Sequence, residues 1–419
     1  MKTKLQHLVR FGLLGLLPAV VLAQSKKPFE AVATTTTTVP VTITASGSQL
    51  DEFISSLINT RGQFAALNGS PYTARSSFLG VADAITFNTN STGTAVTLGL
   101  APIGFTRTFT GANKEAVDDQ VSAFFEKEGA ETIAAFLKAI AKQSPIAVTD
   151  GNPNSVTALA AGGLFTGQGF TGAEEFAVTF DELDGGAGEK ARFGGLGIGF
   201  NAGKFEAGGF KGSNYDFSVS GLNIGFGDNV RLLTPISLNY LDVEGAKVAG
   251  GGINIALPIR LRTMSKDNPV NWRVTPLGGV SFRGSVDLAS GALIWQAGAA
   301  NTIDYKVAPK LVICVINQFT LHRSIKVEYD SYSFDPKIDQ QILKNGLRFV
   351  TPFTKRLIGD FYVVDTRFLK DAAVKSFETF GASLSLRATK SFNLSIAANY
   401  DTGDQFKAYS VGLSSAWRW

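Results

Sequence analysis

A set of charged side chains decides what chemistry this chain can do. Arg260, Arg262, Arg273, Arg283, Lys326, Arg387 and Arg418, with Glu328 and Asp330, each fall opposite apolar residues in short alternating stretches. Ile253, Ile255, Leu257, Ile259 and Leu261 share one phase while Arg260 and Arg262 take the other. Trp272, Val274, Val280 and Phe282 oppose Arg273 and Arg283. A period of two is the strand period, so the charges share one face of a sheet. Fixed charges lining a watery space act by selecting ions rather than by breaking bonds. The same arginines could instead pair with carboxylates and fill the space between strands.

Catalysis has little to work with. Beyond His7 in the leader the only histidine is His322, flanked by Arg323, and its alternation places it with Lys326 and Glu328 as a hydrogen-bonded inward residue. The only cysteine, Cys314, lies in the apolar run Leu311–Ile316 and reads as a small buried residue. No His/Cys cluster offers a metal site. Asp401-Thr402-Gly403-Asp404 lacks the ligands of a calcium loop and reads as a turn. Gly208-Gly209 and Gly250-Gly251-Gly252 open no helix, so neither cradles a phosphate. The chain is expected to be no enzyme and to need no cofactor or metal. The formal charge of +4 falls to +1 without the leader's Lys2, Lys4 and Arg10, which argues against a nucleic-acid partner.

The elements that position these residues change along the chain. Residues 1–23 have a basic start, the apolar run Phe11–Leu22 and small residues before Gln24, the form of a cleaved secretory signal peptide. Residues 24–48 are Thr-rich and extended. Residues 49–175 read as a helix-rich segment with a hairpin between 82 and 110. Leu50, Phe53, Ile54, Leu57 and Ile58 mark one helix, Val117, Val121 and Phe124 a second, Ile133, Phe136, Leu137 and Ile140 a third. A short helix follows over Ser155–Ala161. From about Phe176 to Trp419 alternation dominates, with turn signals such as Gly227-Asp228-Asn229 and Asp401–Asp404 between stretches of about ten residues. Pro235, Pro258 and Pro276 interrupt this pattern, and the phase slips between Val219 and Leu222, so bulges or breaks are expected there.

The end of the chain joins these observations. Tyr409, Val411, Leu413, Trp417 and Trp419 fall on one face of a final strand, opposite Ser410, Gly412, Ser414, Ala416 and Arg418. This strand resembles the closing strand of a bacterial outer-membrane β-barrel, porin-like in type, whose terminal aromatic is read by the barrel assembly machinery. Ser415 departs from that pattern. The 45 Gly and 32 Phe, and eight of nine Tyr lying beyond residue 200, agree with a Gly-rich barrel girdled by aromatics. The resemblance implies a mainly β protein, a transmembrane antiparallel barrel of about 12–14 strands over residues 176–419. The helix-rich segment before it would serve as plug, cap or periplasmic subdomain, and one or two strands could come from residues 82–110. The location implied is the outer membrane, with lipid, the assembly machinery and small solutes as partners.

The function that follows is a passive channel or transporter for small solutes, leaning to anions through the lumen arginines. Alternatives are a non-conducting structural or adhesion barrel, or a plugged transporter of hydrophobic substrates. Ser46–Phe53 is faintly similar to the start of the fatty-acid transporter family, which would imply an apolar lumen pocket. An autotransporter-type translocator would need a helix threading the pore directly before the barrel, a role for which residues 155–165 look poorly suited.

Overall fold

A computed structural model describes residues 26–418 apart from 60–66, 68, 125–128, 167–194, 221–222, 227–228, 266, 289, 330–331 and 390–391. The expected leader, the boundary at Phe176 and Trp419 lie outside the described residues.

The first part of the chain builds its own sheet. Strands β1 (Phe29–Thr35), β2 (Thr42–Gly47), β3 (Tyr72–Phe78), β4 (Val81–Thr89), β5 (Ala95–Leu100) and β6 (Phe105–Thr110) pair antiparallel in the order β2-β1-β3-β4-β5-β6. Residues 82–110 therefore supply this meander rather than barrel strands, because their ladder partners are β1–β3 and each other. One face carries a transverse row of hydroxyls and an amide, Thr42, Thr34, Thr73, Asn88, Thr97 and Thr108, with Thr73 Oγ1 donating to Asn88 over 2.8 Å and Thr97 and Thr108 2.9 Å apart. The other face is apolar. Helices α1 (Leu50–Asn59), α2 (Lys114–Ala123) and α3 (Ala130–Gln143) pack on the sheet. Phe29 stacks on Phe53, Phe105 on Phe124, and Phe78 meets Phe136. Asn113 caps α2 by accepting from the Ala116 amide at 2.9 Å. A fourth helix, α4 (Val156–Thr166), follows.

The rest closes into a barrel. Its strands are β7 (Gly195–Ala207), β8 (Phe210–Val219), β9 (Asn223–Phe226), β10 (Val230–Leu233), β11 (Ile236–Val243), β12 (Ala246–Ala256), β13 (Ile259–Arg262), β14 (Val270–Ser285), β15 (Ser290–Ala308) and β16 (Leu311–Ser324). A side hairpin, β17 (Val327–Tyr329) and β18 (Tyr332–Phe334), precedes β19 (Asp339–Pro352), β20 (Leu357–Phe368), β21 (Ser376–Arg387), β22 (Phe392–Gly403) and β23 (Phe406–Arg418). Neighbours pair in sequence order, β12 pairs β14, and β23 pairs β7, so among the described residues the ring closes through twelve staves. In a closed ring no strand edge is left unpaired.

The strands β9, β10 and β13 are continuations of β8, β11 and β12 beyond breaks. The breaks fall at 220–222, at Thr234–Pro235 and at Leu257–Pro258, where the phase slip and two of the prolines lie. Pro276 stays inside β14 with its ring exposed outward, opposite Leu257. Proline cannot donate to the ladder, so the staves bend where it occurs.

Alternation holds on every stave. Phe200, Phe217, Leu238, Ile255, Phe282, Phe361, Phe380 and Ile396 are exposed on the outside. Asn271, Thr275, Ser281, Gln296, Thr302, Gln318, Thr320, Ser383 and Ser395 are buried on the inside. A soluble sheet would put these the other way round. This inversion is the signature of a barrel whose surroundings are apolar and whose interior is wet.

Candidate functional site: the barrel lumen and its helix

The six-stranded domain sits on one mouth of the barrel. Its contacts all fall on turns at the same end of the staves: Lys26 Nζ to the Gly208 carbonyl (3.1 Å), Gln49 Nε2 to the Gly245 carbonyl (3.1 Å), the Leu50 amide to the Asp287 carbonyl (2.7 Å) and Lys142 to Asp371 (3.1 Å). At this mouth the inward residues are apolar. Phe205, Phe210, Leu288, Phe368, Phe377 and Phe406 share one core with Phe29, Leu98, Phe109 and Ile140 of the domain. Gly208 and Gly80 make the approach possible. A Cβ on Gly208 would meet Pro145 at 2.5 Å and one on Gly80 would meet Phe210 at 2.5 Å, and both glycines have positive φ.

The junction into α4 is buried and sutured to the wall. Asn152 Nδ2 donates to the Ala147 carbonyl (2.6 Å) and Ser155 Oγ to the Asn152 carbonyl (2.6 Å). Asp150 Oδ1 accepts from Thr157 Oγ1 (2.9 Å) and from the Gly151 amide (2.8 Å), and Asp150 Oδ2 accepts from Gln340 of β19. Burial pushes the Asp150 carboxyl up, and the bonds from Thr157, Gly151 and Gln340 only partly oppose this. The Val374 amide donates to the Gly151 carbonyl (3.0 Å), and Arg283 of β14 donates to the Asn154 carbonyl.

From this junction α4 enters the lumen. Residues 155–165, which looked poorly suited to the pore, are the ones that occupy it. Val156 and Ala160 pack with Ala292, Ile294 and Ile338, Leu164 with Leu233, Ala256, Leu277 and Ala300, and Phe165 with Cys314, Ile316, Tyr362 and Val364. Gln318 Nε2 donates to the Ala161 carbonyl (2.9 Å), and Lys344 lies over the Phe165 ring at 5.0 Å. Eleven residues at ~1.5 Å each give ~16 Å of helix. The sequence Val-Thr-Ala-Leu-Ala-Ala-Gly-Gly-Leu-Phe-Thr has no polar stripe, as a helix surrounded on all sides requires. A further inward apolar cluster, Met264, Val312, Val350 and Ile358, lies away from α4.

The helix contacts β12, β14, β15, β16 and β19 and leaves the opposite wall to small polar residues. On β7, β8, β22 and β23 the inward positions include Asn201, Gly203, Asn214, Asp216, Asn399, Ser410 and Gly412, all half-buried. Asn201 Oδ1, Asn239 Oδ1, Gln296 Oε1 and Asp360 Oδ1 are buried without a hydrogen-bond partner among the described residues. Such atoms call for water or a polar solute. Tyr362 donates to Asn399 across Gly381, where a Cβ would strike the Tyr362 ring at 2.2 Å.

The predicted charged residues separate into several environments. Arg273 is buried against Asp304 at 3.1 Å, with Asn271 Nδ2 also on Asp304 (2.8 Å). Arg283 is buried at the α4 junction, with Asp216 the nearby counter-charge. Arg260 pairs with Arg273 across the ladder and lies, half-buried, near the far mouth, as does Arg387 at the end of β21. A register shift between Arg260 and Arg262 sets Arg262 opposite Trp272, on the outer face, which corrects its expected lumen position. Lys326 is exposed in the connection after β16, and Glu328 belongs to the β17–β18 hairpin outside the ring. The period of two in that stretch comes from a hairpin rather than a stave. Asp330 lies outside the described residues, and Arg418 ends β23 opposite Gly195. Sequence reasoning missed Arg348, buried at 3.0 Å from Asp360, which also accepts from Ser383 Oγ at 2.6 Å. It also missed the carboxylates Asp304 and Asp360, although both sit on inward phases of their strands. His322 is buried inward with Nε2 2.9 Å from Thr320 Oγ1. Of the closing-strand residues Tyr409, Val411, Leu413 and Trp417 are exposed on the outer face of β23.

No protein-family model matches the chain, and no curated protein matches it. Among solved structures it is similar to the β domain of the Bordetella autotransporter BrkA, with 14% identity, TM-score 0.40, 54% of this chain and 99% of that one covered. The translocator domain of the autotransporter NalP from Neisseria meningitidis aligns at 12% identity and TM-score 0.40, covering 63% of this chain and 98% of that one. An outer-membrane channel from Pseudomonas putida F1 aligns at 10% identity and TM-score 0.39, covering 54% and 96%. The ring of strands, apolar outside and polar within, makes this chain an outer-membrane-type β-barrel protein.

Proposed function

We propose that this protein is an outer-membrane channel for small polar solutes whose resting state is shut by α4 and by the domain on one mouth. The observation that carries the reading is a helix apolar on all sides, buried in a lumen whose opposite wall is lined by small polar residues, and anchored at Asn154, Gly151 and Ala161. The outer face suits lipid. The small polar side chains opposite α4 supply the path along which solute moves once the helix shifts. The deep arginines are matched by Asp304, Asp360 and Asp216, so they contribute little net field along that path. Arg260 and Arg387, half-buried near the far mouth, are the cations on which a lean to anions would depend. The closing strand fits insertion by the assembly machinery.

The test is planar-bilayer conductance of the full chain with α4 tied to the wall. Ala160 and Ala292 share one apolar cluster, and their small side chains suit a cross-link after Ala160→Cys and Ala292→Cys. Oxidation should abolish conductance steps and reduction restore them. Steps of equal frequency in the oxidised, folded protein would sink the reading. No steps in either state would favour the non-conducting structural barrel.

A further inference from the structure

The six-stranded domain carries a face that neither the barrel nor the plug uses. Its apolar face turns to α1, α2 and α3 and to the barrel mouth, so the hydroxyl-bearing face points away from both. On that face Thr42, Thr34, Thr73, Asn88, Thr97 and Thr108 stand in one rank, each the direct ladder partner of the next. Every member is exposed or half-buried. Side-chain bonds join them in successive twos. The Thr34 and Thr42 hydroxyls lie 3.2 Å apart, Thr73 Oγ1 donates to Asn88 over 2.8 Å, and the Thr97 and Thr108 hydroxyls lie 2.9 Å apart. Each bond holds a rotamer in place and leaves further lone pairs and amide hydrogens for a partner, so the groups are ordered before anything docks. A second rank beside it includes Thr44, Thr86 and Thr106. It dips at Gly99, where a Cβ would meet Thr86 Oγ1 at 2.5 Å.

Threonine suits any strand, but an ordinary soluble surface mixes in roughly one charged residue in three or four. The two ranks together hold a single charge, Arg75, which lies 3.5 Å from Asp83. A partner that fits is uncharged and offers donors and acceptors at the same interval. Neighbouring strands are ~4.8 Å apart, so the bonded pairs recur every ~9.6 Å across ~24 Å of sheet. That interval is close to the disaccharide repeat of an extended β-linked glycan, whose equatorial hydroxyls line both edges of the chain. The twist of ~20° per strand suits one flexible chain rather than the flat face of a crystal.

We propose that this face binds a single chain of an uncharged β-1,4-linked glycan, laid across the strands with its hydroxyls on the Thr–Thr and Thr–Asn pairs. The site is independent of the channel reading and of the plug.

The experiment is calorimetric titration of the folded full chain, in an amine-oxide detergent that carries no sugar, with cellohexaose. Maltohexaose presents the same hydroxyls on a coiled α-linked chain, and a β-1,4-linked mannuronate hexamer adds carboxylates that the face does not match. Cellohexaose should bind at least tenfold more tightly than either. Thr73→Val with Thr97→Val removes one hydroxyl from each of two pairs and keeps the branched strand residue. It should weaken cellohexaose about tenfold. Asn88→Asp keeps the shape and removes an amide donor, and it replaces the double variant should that lose the heat-modifiable band, with a loss of several-fold expected. No binding of cellohexaose at millimolar concentration, equal binding of maltohexaose or of the mannuronate hexamer, or parent-like affinity in a folded variant would each overturn the proposal. Conductance should be the same in the parent and these variants, so a failure of the channel reading is told apart from a failure of this one.

Discussion

Phe165 lies near the inner end of the plug, and its truncation should unseat α4. It is 1% exposed and enclosed by Cys314, Ile316, Tyr362 and Val364, with the Lys344 ammonium over its ring. Phe→Ala at a site that cannot collapse costs about 3–5 kcal/mol. Strands held on both sides in a closed ring cannot move in to fill the space. The cost falls only on the seated state, since an unseated helix no longer makes these contacts. Taking about 3 kcal/mol, at about 1.4 kcal/mol per tenfold change, the unseated population rises roughly a hundredfold. Single-channel recording of Phe165→Ala should therefore show an open fraction roughly a hundred times that of the parent chain. The increase should vanish when α4 is cross-linked through Ala160→Cys and Ala292→Cys. An open fraction within a few-fold of the parent, in a barrel that still shifts on heating in gels, would refute the reasoning. So would an increase that survives the cross-link.

Other expectations concern charge. Arg348→Ala or Asp360→Ala leaves a buried charge without its partner and should cost about 3–5 kcal/mol, lowering the temperature at which the folded gel band is lost. Arg348→Met with Asp360→Leu should recover most of that loss. Asp150 has its folded pKa raised by burial, so the seated junction is most stable when the carboxyl is protonated. Its contribution should fall as pH rises from the ordinary carboxylate range of about 3.9 through the raised folded value. Asp150→Asn should flatten that slope in urea midpoints measured from acid to neutral pH, and an unchanged slope would contradict it. Replacing Arg260 and Arg387 together by Gln should move the reversal potential in a salt gradient towards zero, whereas no shift would place the anion preference elsewhere.

Much of the barrel was written in the sequence as a period of two. The staves containing Ile253, Trp272, Phe380 and Phe392 follow that alternation, and Pro235, Pro258 and the slip after Val219 mark real breaks, whereas Pro276 stays inside β14. What the pattern could not show is which sheet a strand joins. Residues 82–110 alternate as barrel strands do, yet their partners are β1–β3, a matter of long-range pairing. Arg262 moved to the outer face because one bulge reverses every phase after it. A plug was among the roles expected of residues 49–175, but which helix fills the lumen was missed although its signal was present. Residues 156–166 lack the polar stripe that α1 and α3 show, and a short helix apolar all round must be enclosed by something. The missed pairs Arg273–Asp304 and Arg348–Asp360 could be seen only once neighbouring staves were in register.

The prolines have a mechanical consequence. Pro235, Pro258 and Pro276 lie on adjoining staves and their carbonyls still accept, from Asn254, Arg231 and Leu257, but none donates. Missing rungs within a few residues of one another on three neighbouring strands make a soft crease in the wall. Above the crease the short segments β9, β10 and β13 form a flap tied mainly to β14. That part of the rim can lean in or out without stretching the ladder below it. The barrel is therefore stiff around most of its circumference and compliant in one sector, next to β12 and β14, against which α4 packs.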